Sequence, residues 1–533
     1  MDDRLGPAAA APSAASTTQG GSDQRLIVGQ TGQNVAGLAV GAVATFAAQV
    51  IMSNRLGEGA FGVVTLATQF AFIAAAATRF GMDVANVRLV AIVVGSGRGG
   101  RARGLVRRSV VIATLVSVVF AALAFLAAPS IAGAVSGLPD VAEPAFRWAA
   151  VTVPFAALAF TFMGATRGLK IMRYTLLAQW VAQPIGWIVL TLVVWAAAAV
   201  TAGWATAGFG ASWAAALAIA AWGWHREQRR LPHEALGEPI PEEGMGALWR
   251  FGALRAPGTL FSQLLFWTDL FVFSLLVSGL GLAGAADVGI YSGVLRAGQS
   301  LFLFLTSVSL TFSPFVADLH HRGETARLDH LYKQVTRWTL TATIPVLLVL
   351  AVAPEHVLRV FGPEFATGAS ALRILIVGMI VPVMVGTVGF ILIMAGRTGW
   401  DLLVYVGSFV IDVTLALSLA RPEVLGMRGA AIAQATTLTV SAFARLFLVR
   451  RFLGIWPFDA SYLRLVAPTV IGGAAMVAVH AALPDARWAL DLLVTAAVGA
   501  AVYGAAAIGL GLPANERAKV LAVAGRRTRA GKG

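Results

Sequence analysis

The sequence predicts an all-α, polytopic membrane protein. Of the 533 residues, 58% are hydrophobic and only 12% are charged, which excludes a chain of soluble domains. The mean hydropathy is +0.78, and the apolar residues fall in runs of about 20, the length that a helix needs to cross the bilayer core. Short loops rich in arginine separate these runs.

The apolar runs predict about 14 transmembrane helices. The sixth run is rich in Gly and Ala and is the least apolar. We place the fourteen spans near residues 30–53, 62–78, 106–128, 145–165, 175–198, 203–224, 252–280, 287–316, 335–353, 370–394, 400–420, 429–449, 463–482 and 488–511.

The positions of the basic residues predict the orientation of the chain. The net charge is +14, but the Lys and Arg residues lie mostly in alternate loops, which is a topology signal rather than a nucleic-acid site. Both termini are therefore predicted to be cytoplasmic, with residues 1–24 a disordered tail and residues 513–533 a basic tail. The chain has no cysteine, which excludes disulfides and thiolate metal sites.

A weak repeat divides the spans into two groups. The segment GAFGVVTLATQ (59–69) is similar to ADVGIYSGVLR (286–296), and the match places Gly62 against Gly289 at the entrance of a span. Two further pairs follow at a similar offset, Arg147 with Arg373 and Pro154 with Pro382. An even number of spans in each group gives both the same orientation, the parallel arrangement that some transporters build around a central cavity.

The repeat predicts the domain organisation. Two six-helix lobes of like orientation are joined by the longest charged linker and are followed by two extra helices. The predicted boundaries are 25–224 for the first lobe, 225–251 for the cytoplasmic linker, 252–452 for the second lobe and 453–512 for the two extra helices.

Three segments carry a family resemblance, namely NRLGEGAFGVVTLATQFAFIAAAATRFGMD, DLFVFSLLVSGLGLAGAADVGIYSGVLRAGQ and VFGPEFATGASALRIL. With them the chain resembles the Wzx-like polysaccharide flippases of the multidrug/oligosaccharidyl-lipid/polysaccharide (MOP) exporter superfamily. The resemblance implies two lobes around a V-shaped cavity and alternating access that moves a polyprenyl-pyrophosphate-linked glycan outward. It also implies a bacterial inner membrane location, contact with membrane lipids, and glycosyltransferases or a polymerase of the same pathway as partners.

A carrier of such a substrate needs cationic or donor groups in a wet cavity, because a phosphate in bare hydrocarbon is very costly. The rise of 1.5 Å per residue places Asp269 and Arg296 at similar depth on consecutive spans, where an ion pair between them is sterically allowed. Three interpretations of Arg296 stay open: it snorkels to the outer interface, pairs with Asp269, or contacts the pyrophosphate, and the last two are compatible. The candidate substrate-binding residues are Arg296, Asp269, Arg255, Gln33, Asn34 and Gln69.

Two of the other charged residues also have open interpretations. Arg255, beside the inner boundary, is either a topology anchor or a ligand. Asp412, in the eleventh span, is either a coupling site or a neutral carboxylic acid with a structural role. His480 and Asp491 are predicted to lie near the outer interface without a role in transport.

The sequence lacks the motifs of several function classes. There is no P-loop and no histidine or carboxylate spacing typical of a metal site, so we expect neither a cofactor, nor a metal, nor direct use of ATP. A membrane glycosyltransferase or polymerase would need an acid/base or metal site on a large outer loop, and the longest outer loop is short. A cation-coupled multidrug exporter and a lipid II flippase stay open as alternatives within transport, and no nucleic-acid partner is expected.

Overall fold

The computed structural model describes residues 15–232, 245–302, 305–306, 308–309, 316, 319–320, 323–483 and 488–511 of the chain. For residues 15–36 and residue 254 the description covers the backbone alone. Within these ranges every regular element is a helix, so the predicted all-α class is confirmed.

Six helices form the part of the chain before the linker. The fifth contains a π-helical stretch over Leu176–Ala182. Their bounds are α1 Ala15–Thr78, α2 Met82–Gly95, α3 Ala102–Val135, α4 Pro139–Gly168, α5 Arg173–Ala197 and α6 Ala202–Gln228.

After the linker, the structure gives the bounds of eleven helices, and the last continues into a short π-helical turn, Ala507–Gly511. Their bounds are α7 Met245–Leu264, α8 Thr268–Val277, α9 Leu282–Gln299, α10 Thr325–Val352, α11 Pro354–Arg359, α12 Ala369–Val385, α13 Val388–Met394, α14 Thr398–Leu419, α15 Met427–Leu453, α16 Val466–Ala482 and α17 Trp488–Ala506.

Two predicted spans contain a break. Gly57 interrupts α1 with a φ of 75°, a conformation that glycine adopts without a steric penalty, so α1 consists of two segments that match the first two predicted spans. The seventh predicted span is divided into α7 and α8, which meet at 61°.

The structure confirms a polytopic membrane protein but not the count of fourteen. The described residues contain 11 helices long and apolar enough to cross a membrane, or 12 if the bent pair α7–α8 is one span. Both predicted spans of α1 are contained in a single one of these helices, and much of the eighth predicted span (287–316) lies outside the described residues.

Helices extend past two of the boundaries predicted from the sequence. Helix α1 begins at Ala15, inside the tail predicted over 1–24, because no proline follows Pro12 in this stretch and the helix extends toward the N-terminus. The linker predicted over 225–251 is shorter, since α6 ends at Gln228 and α7 begins at Met245. Residues 1–14 and the basic tail 513–533 lie outside the described residues.

In each part of the chain, other helices pack around one inner helix. Helix α4 packs against α3 and α6 before the linker, and α15 packs against α12 and α14 after it, while α16 and α17 pack on each other and on α10. One continuous apolar core joins both parts and includes Phe61, Phe146 and Phe361. Where the two parts meet, α1 packs along α9, and this contact determines where the molecule is open and where it is closed.

Candidate functional site

A cavity of about 570 Å³ lies between the two parts of the chain at one end of the helices. We call this the open end. Its wall comes from the end of α1 and from α2 on one side, and from α7, the end of α13 and the start of α14 on the other. Helices from both sides of the predicted linker therefore share one cavity, as an alternating-access carrier requires.

The opposite end is closed by direct contact between α1 and α9. We call the contact of residues 58–66 with residues 285–289 the closed end. A Cβ added to Gly62 would lie 2.8 Å from the backbone nitrogen of Gly289, and one added to Gly289 would lie 1.8 Å from the carbonyl oxygen of Glu58. Only glycine permits this approach, and the cavity left at the contact has a volume of about 10 Å³.

Aromatic rings reinforce the closed end. The ring of Phe361, which follows α11, lies 5.4 Å from that of Phe46 and 6.3 Å from that of Phe61. The Asn54 amide donates a hydrogen bond of 2.9 Å to the carbonyl oxygen of Val360. The loop after α11 is therefore fixed to α1 at this end.

Five charged residues line the cavity at the open end, and both acidic ones have an arginine partner. Arg79 lies 3.2 Å from Asp83 one turn later, and the Asp401 carboxylate accepts a 2.9 Å hydrogen bond from Arg445, whose guanidinium lies behind the wall. The other two, Arg88 and Arg255, form no ion pair with any residue that the structure describes. The cavity therefore offers positive charge without a protein counter-ion.

Arg255, one of the candidates from the sequence, lies on the cavity wall. Gly81 packs directly beside it, since a Cβ there would lie 3.1 Å from the Cβ of Arg255. Gly81 has a φ of 67° and ends the tight turn between α1 and α2. The Nε of Arg255 is buried and has no hydrogen-bond partner among the described residues. Whether Arg255 is a ligand or a topology anchor stays a prediction.

A pair of buried carboxylic acids lies deeper, between α8 and α14. Asp269 and Asp412 are both 0% exposed. Tyr291 of α9 donates a hydrogen bond to one oxygen of Asp269, and Thr437 of α15 donates one of 3.3 Å to Asp412. Among the residues described, the second oxygen of each carboxyl group has no hydrogen-bond partner. Four helices thus meet around two acidic groups with free acceptor oxygens.

The ion pair predicted between Arg296 and Asp269 does not form. The Arg296 guanidinium lies 4.5 Å from the ring centroid of Trp267, and Asp269 is bonded to Tyr291 instead. Trp267 occupies the break between α7 and α8, so the bend turns α8 and places an indole where the prediction placed a carboxylate. A cation–π contact holds the arginine there.

The remaining candidates do not line the cavity. Gln69 is buried in α1, and neither it nor Arg296 is part of the cavity wall. Gln33 and Asn34 belong to the part of α1 whose side chains lie outside the description. Their roles stay predictions.

The sequence interpretation missed the cavity wall formed by α2. We expected its residues to lie in an arginine-rich inner loop between the second and third predicted spans. The run MDVANVRLVAIVVG nevertheless has helical periodicity, and its buried face consists of Met82, Asp83, Ala85, Asn86, Leu89, Val90 and Val93. That periodicity is the signal that could have placed Asp83 and Arg88 on one helix beside the cavity.

A second polar cluster lies at the other end of the molecule. His356, His480 and Asp491 offer ligand atoms within 4.8 Å of one another. The expectation that no such grouping exists came from spacing along the chain, and these residues lie on three different helices.

Comparisons with known proteins agree with this architecture. The family model for "polysaccharide biosynthesis protein" matches residues 31–320, more than half of the chain, and the MatE model matches residues 259–417. Among curated protein sequences, none matches.

Three solved structures illustrate the fold. The lipid II flippase MurJ in an inward closed conformation is 13% identical, with a TM-score of 0.62 over 88% of this chain and 98% of that one. A MOP superfamily transporter from Pyrococcus furiosus is 16% identical (TM-score 0.60; 80% and 95% covered). An inward-facing multidrug resistance MATE family transporter of the same superfamily is also 16% identical (TM-score 0.59; 79% and 94% covered).

The resemblance predicted from the sequence is thus confirmed by a family model and by the fold. The chain belongs to the polysaccharide biosynthesis protein family and has the fold of the MOP superfamily transporters.

Proposed function

We propose that the protein is a flippase that moves a polyprenyl-pyrophosphate-linked oligosaccharide from the cytoplasmic to the outer leaflet of the bacterial inner membrane, for cell-surface polysaccharide biosynthesis. The observation that carries the proposal is the cavity at the open end with Arg88 and Arg255 unpaired in its wall. Both termini and the open end are cytoplasmic in this proposal, so the cavity faces the leaflet in which such lipids are assembled.

The charge of the cavity favours an anionic substrate. A pyrophosphate is a dense anion, and arginine binds phosphate oxygens with its planar fork of donors. An exporter of cationic drugs would be expected to expose an unpaired carboxylate, whereas Asp83 and Asp401 are each neutralised by an arginine. The description of the matching family model supports a glycan rather than a drug.

The deeper carboxylic acids supply a site for coupling. In our proposal Asp412, together with Asp269, takes up a proton or a monovalent cation, and its occupancy biases the two conformations of the carrier. The free carboxylate oxygens and the donors Tyr291 and Thr437 support this role. The lobes predicted over 25–224 and 252–452 would be the two bodies that move.

Transport of a lipid-linked glycan from one leaflet of the proteoliposome membrane to the other tests the proposal. We expect the double variant Arg88→Gln/Arg255→Gln to lose flipping while it retains its folded state, because the only arginine left in the described cavity wall, Arg79, is already paired with Asp83. Arg107→Gln is the matched control, since Arg107 is exposed on α3 away from the cavity. Unchanged flipping of lipid-linked glycan by the double variant would sink the assignment of this cavity to the pyrophosphate.

Coupling is tested separately in the same vesicles. With a pH gradient or a Na⁺ gradient imposed in turn, the wild type should respond to one of them. We expect Asp412→Asn to flip substrate at a rate that no longer depends on either gradient. A variant that keeps the full gradient response would remove Asp412 from the coupling step.

A further inference from the structure

The cluster of His356, His480 and Asp491 brings together three parts of the chain at the closed end. His356 lies on the short helix α11, His480 in the last turn of α16 and Asp491 in the first turn of α17. The same oxygen of Asp491 lies 2.8 Å from Nδ1 of His356 and 2.6 Å from Nδ1 of His480. The two imidazole rings meet edge to face with centroids 5.1 Å apart.

The surroundings leave the Asp491 carboxylate without a fixed counter-charge. Asp491 is 1% exposed, and in the described parts of the chain no lysine or arginine forms an ion pair with it. Its second oxygen accepts a 2.8 Å hydrogen bond from Thr495 one turn later. A buried carboxylate is costly unless a positive charge compensates it, and here the compensating charge has to arrive from solution.

The donor set suits a divalent transition metal. Two imidazole nitrogens and one carboxylate oxygen, with one position left for water, are a common ligand set for Zn²⁺. Metal–ligand bonds of about 2.0–2.2 Å in a tetrahedron separate the ligand atoms by roughly 3.4 Å. The present separations of 2.6 and 2.8 Å are somewhat shorter, so small rotations of the three side chains would open room for an ion.

A neighbouring hydroxyl group and the exposure of one ligand both favour the binding of an ion. The Thr495 hydroxyl group holds one carboxylate oxygen and thereby orients the other toward the imidazoles, as residues behind a metal ligand do. The His480 side chain is 29% exposed, whereas that of His356 is 3% exposed. An ion can therefore approach past His480 to reach the buried Asp491 oxygen.

We propose that His356, His480 and Asp491 form a binding site for a divalent first-row transition metal ion. The bound ion connects α16 and α17 to α11. Because Val360 and Phe361 directly follow α11 and contact α1, the ion also stiffens the closed end. The proposal is independent of the nature of the transported substrate.

Binding of Zn²⁺ to the purified full-length protein, without a polyhistidine tag and after treatment with EDTA, tests the site. We expect one tightly bound Zn²⁺ per chain by elemental analysis and a rise of the melting temperature with added Zn²⁺. His480→Gln should weaken Zn²⁺ binding by more than about tenfold, and Thr495→Val should weaken it by about tenfold. His225→Gln, which alters an exposed histidine on α6, is the control and should leave binding unchanged.

His480→Gln is the main variant because His480 is the most exposed of the three residues, so its replacement preserves the fold. Equal Zn²⁺ affinity in the wild type and in His480→Gln overturns the proposal, as does the absence of any tight Zn²⁺ in the wild type. A melting temperature that depends on pH through His480, with no response to Zn²⁺, likewise overturns it and assigns the compensating charge to a proton.

Discussion

The two ends of the molecule differ in their interactions: backbone packing at the closed end, and charged side chains around a cavity at the open end. At the closed end the backbones of α1 and α9 touch, because Gly62 and Gly289 have no side chain to separate them. At the open end long charged side chains, among them Arg79 and Arg255, face a cavity of about 570 Å³. Closely packed backbones tolerate little change in volume. Ion pairs beside a cavity tolerate changes of shape but not the loss of one partner. The ends should therefore fail under different substitutions.

The largest effect is expected at the open end, from Asp401→Asn. Arg445 is 7% exposed and loses the one carboxylate partner that it has among the described residues, and an uncompensated buried charge costs about 3–5 kcal/mol of folding free energy. Thermal unfolding of the purified protein should show a large fall in melting temperature. Glu355→Gln is the control, since its pair with Arg373 is exposed and contributes about 0–1 kcal/mol. Similar melting temperatures for both variants would contradict this contrast.

The second-largest effect is expected from Gly289→Ala, which should change the conformation of the closed end. The new methyl group would lie 1.8 Å from the Glu58 carbonyl oxygen, and relief of such overpacking costs about 1–3 kcal/mol or more. We expect the closed end to separate, so that a reporter Ser274→Cys at this contact reacts faster with a membrane-impermeant maleimide. The chain has no natural cysteine to interfere.

The control for this labelling is Gly504→Ala in α17, where an added Cβ meets no atom within 4 Å. It should leave the reaction of the reporter unchanged. Equal labelling of the reporter in Gly289→Ala and in the parent protein would mean that the glycine contact does not keep the closed end shut.

Phe361→Leu should loosen the closed end less. Phe361 has three aromatic neighbours, Phe46, Phe61 and Phe365, and each ring pair contributes about 0.5–1.5 kcal/mol beyond the area it buries. The same maleimide assay should give an intermediate rate. Phe443→Leu, an exposed ring elsewhere on the surface, should have no effect, and a rate above that of Gly289→Ala would reverse the order that packing predicts.

Asn54→Ala is the smallest change. It removes the 2.9 Å hydrogen bond to Val360, but the amide is exposed, so the loss lies at the low end of about 0.5–1.5 kcal/mol. Labelling of the reporter should rise only slightly. A rise as large as that of Phe361→Leu would indicate that the hydrogen bond, rather than the rings, fixes α11 to α1.

The sequence predicted the fold class better than it predicted the site. Composition and run length suffice for a helical membrane protein, because the bilayer requires about 20 apolar residues per span. The weak repeat matched Gly62 with Gly289, and the structure places the two in contact. Matched positions of a repeat touch where a two-fold axis passes between the copies, so the contact supports the predicted pairing.

The charged residues were harder to place. Depth along a helix follows from the rise per residue, which is why Asp269 and Arg296 looked like partners. Depth does not give the direction in which a side chain points, and the 61° bend between α7 and α8 turns that direction. The partners found instead, Trp267 and Tyr291, differ in charge from the expected ones. Likewise, spacing along the chain could not bring His356 near Asp491.

The bend between α7 and α8 has a mechanical consequence. Where the helix breaks, the Leu265 carbonyl accepts a 3.2 Å hydrogen bond from Gln434 of α15, and Trp267 carries the guanidinium of Arg296 from α9. Three helices are thus joined at one break, so straightening the seventh span would displace α9 and α15 together. We expect a displacement of Arg296 to reach α15, the helix that positions Thr437 beside Asp412.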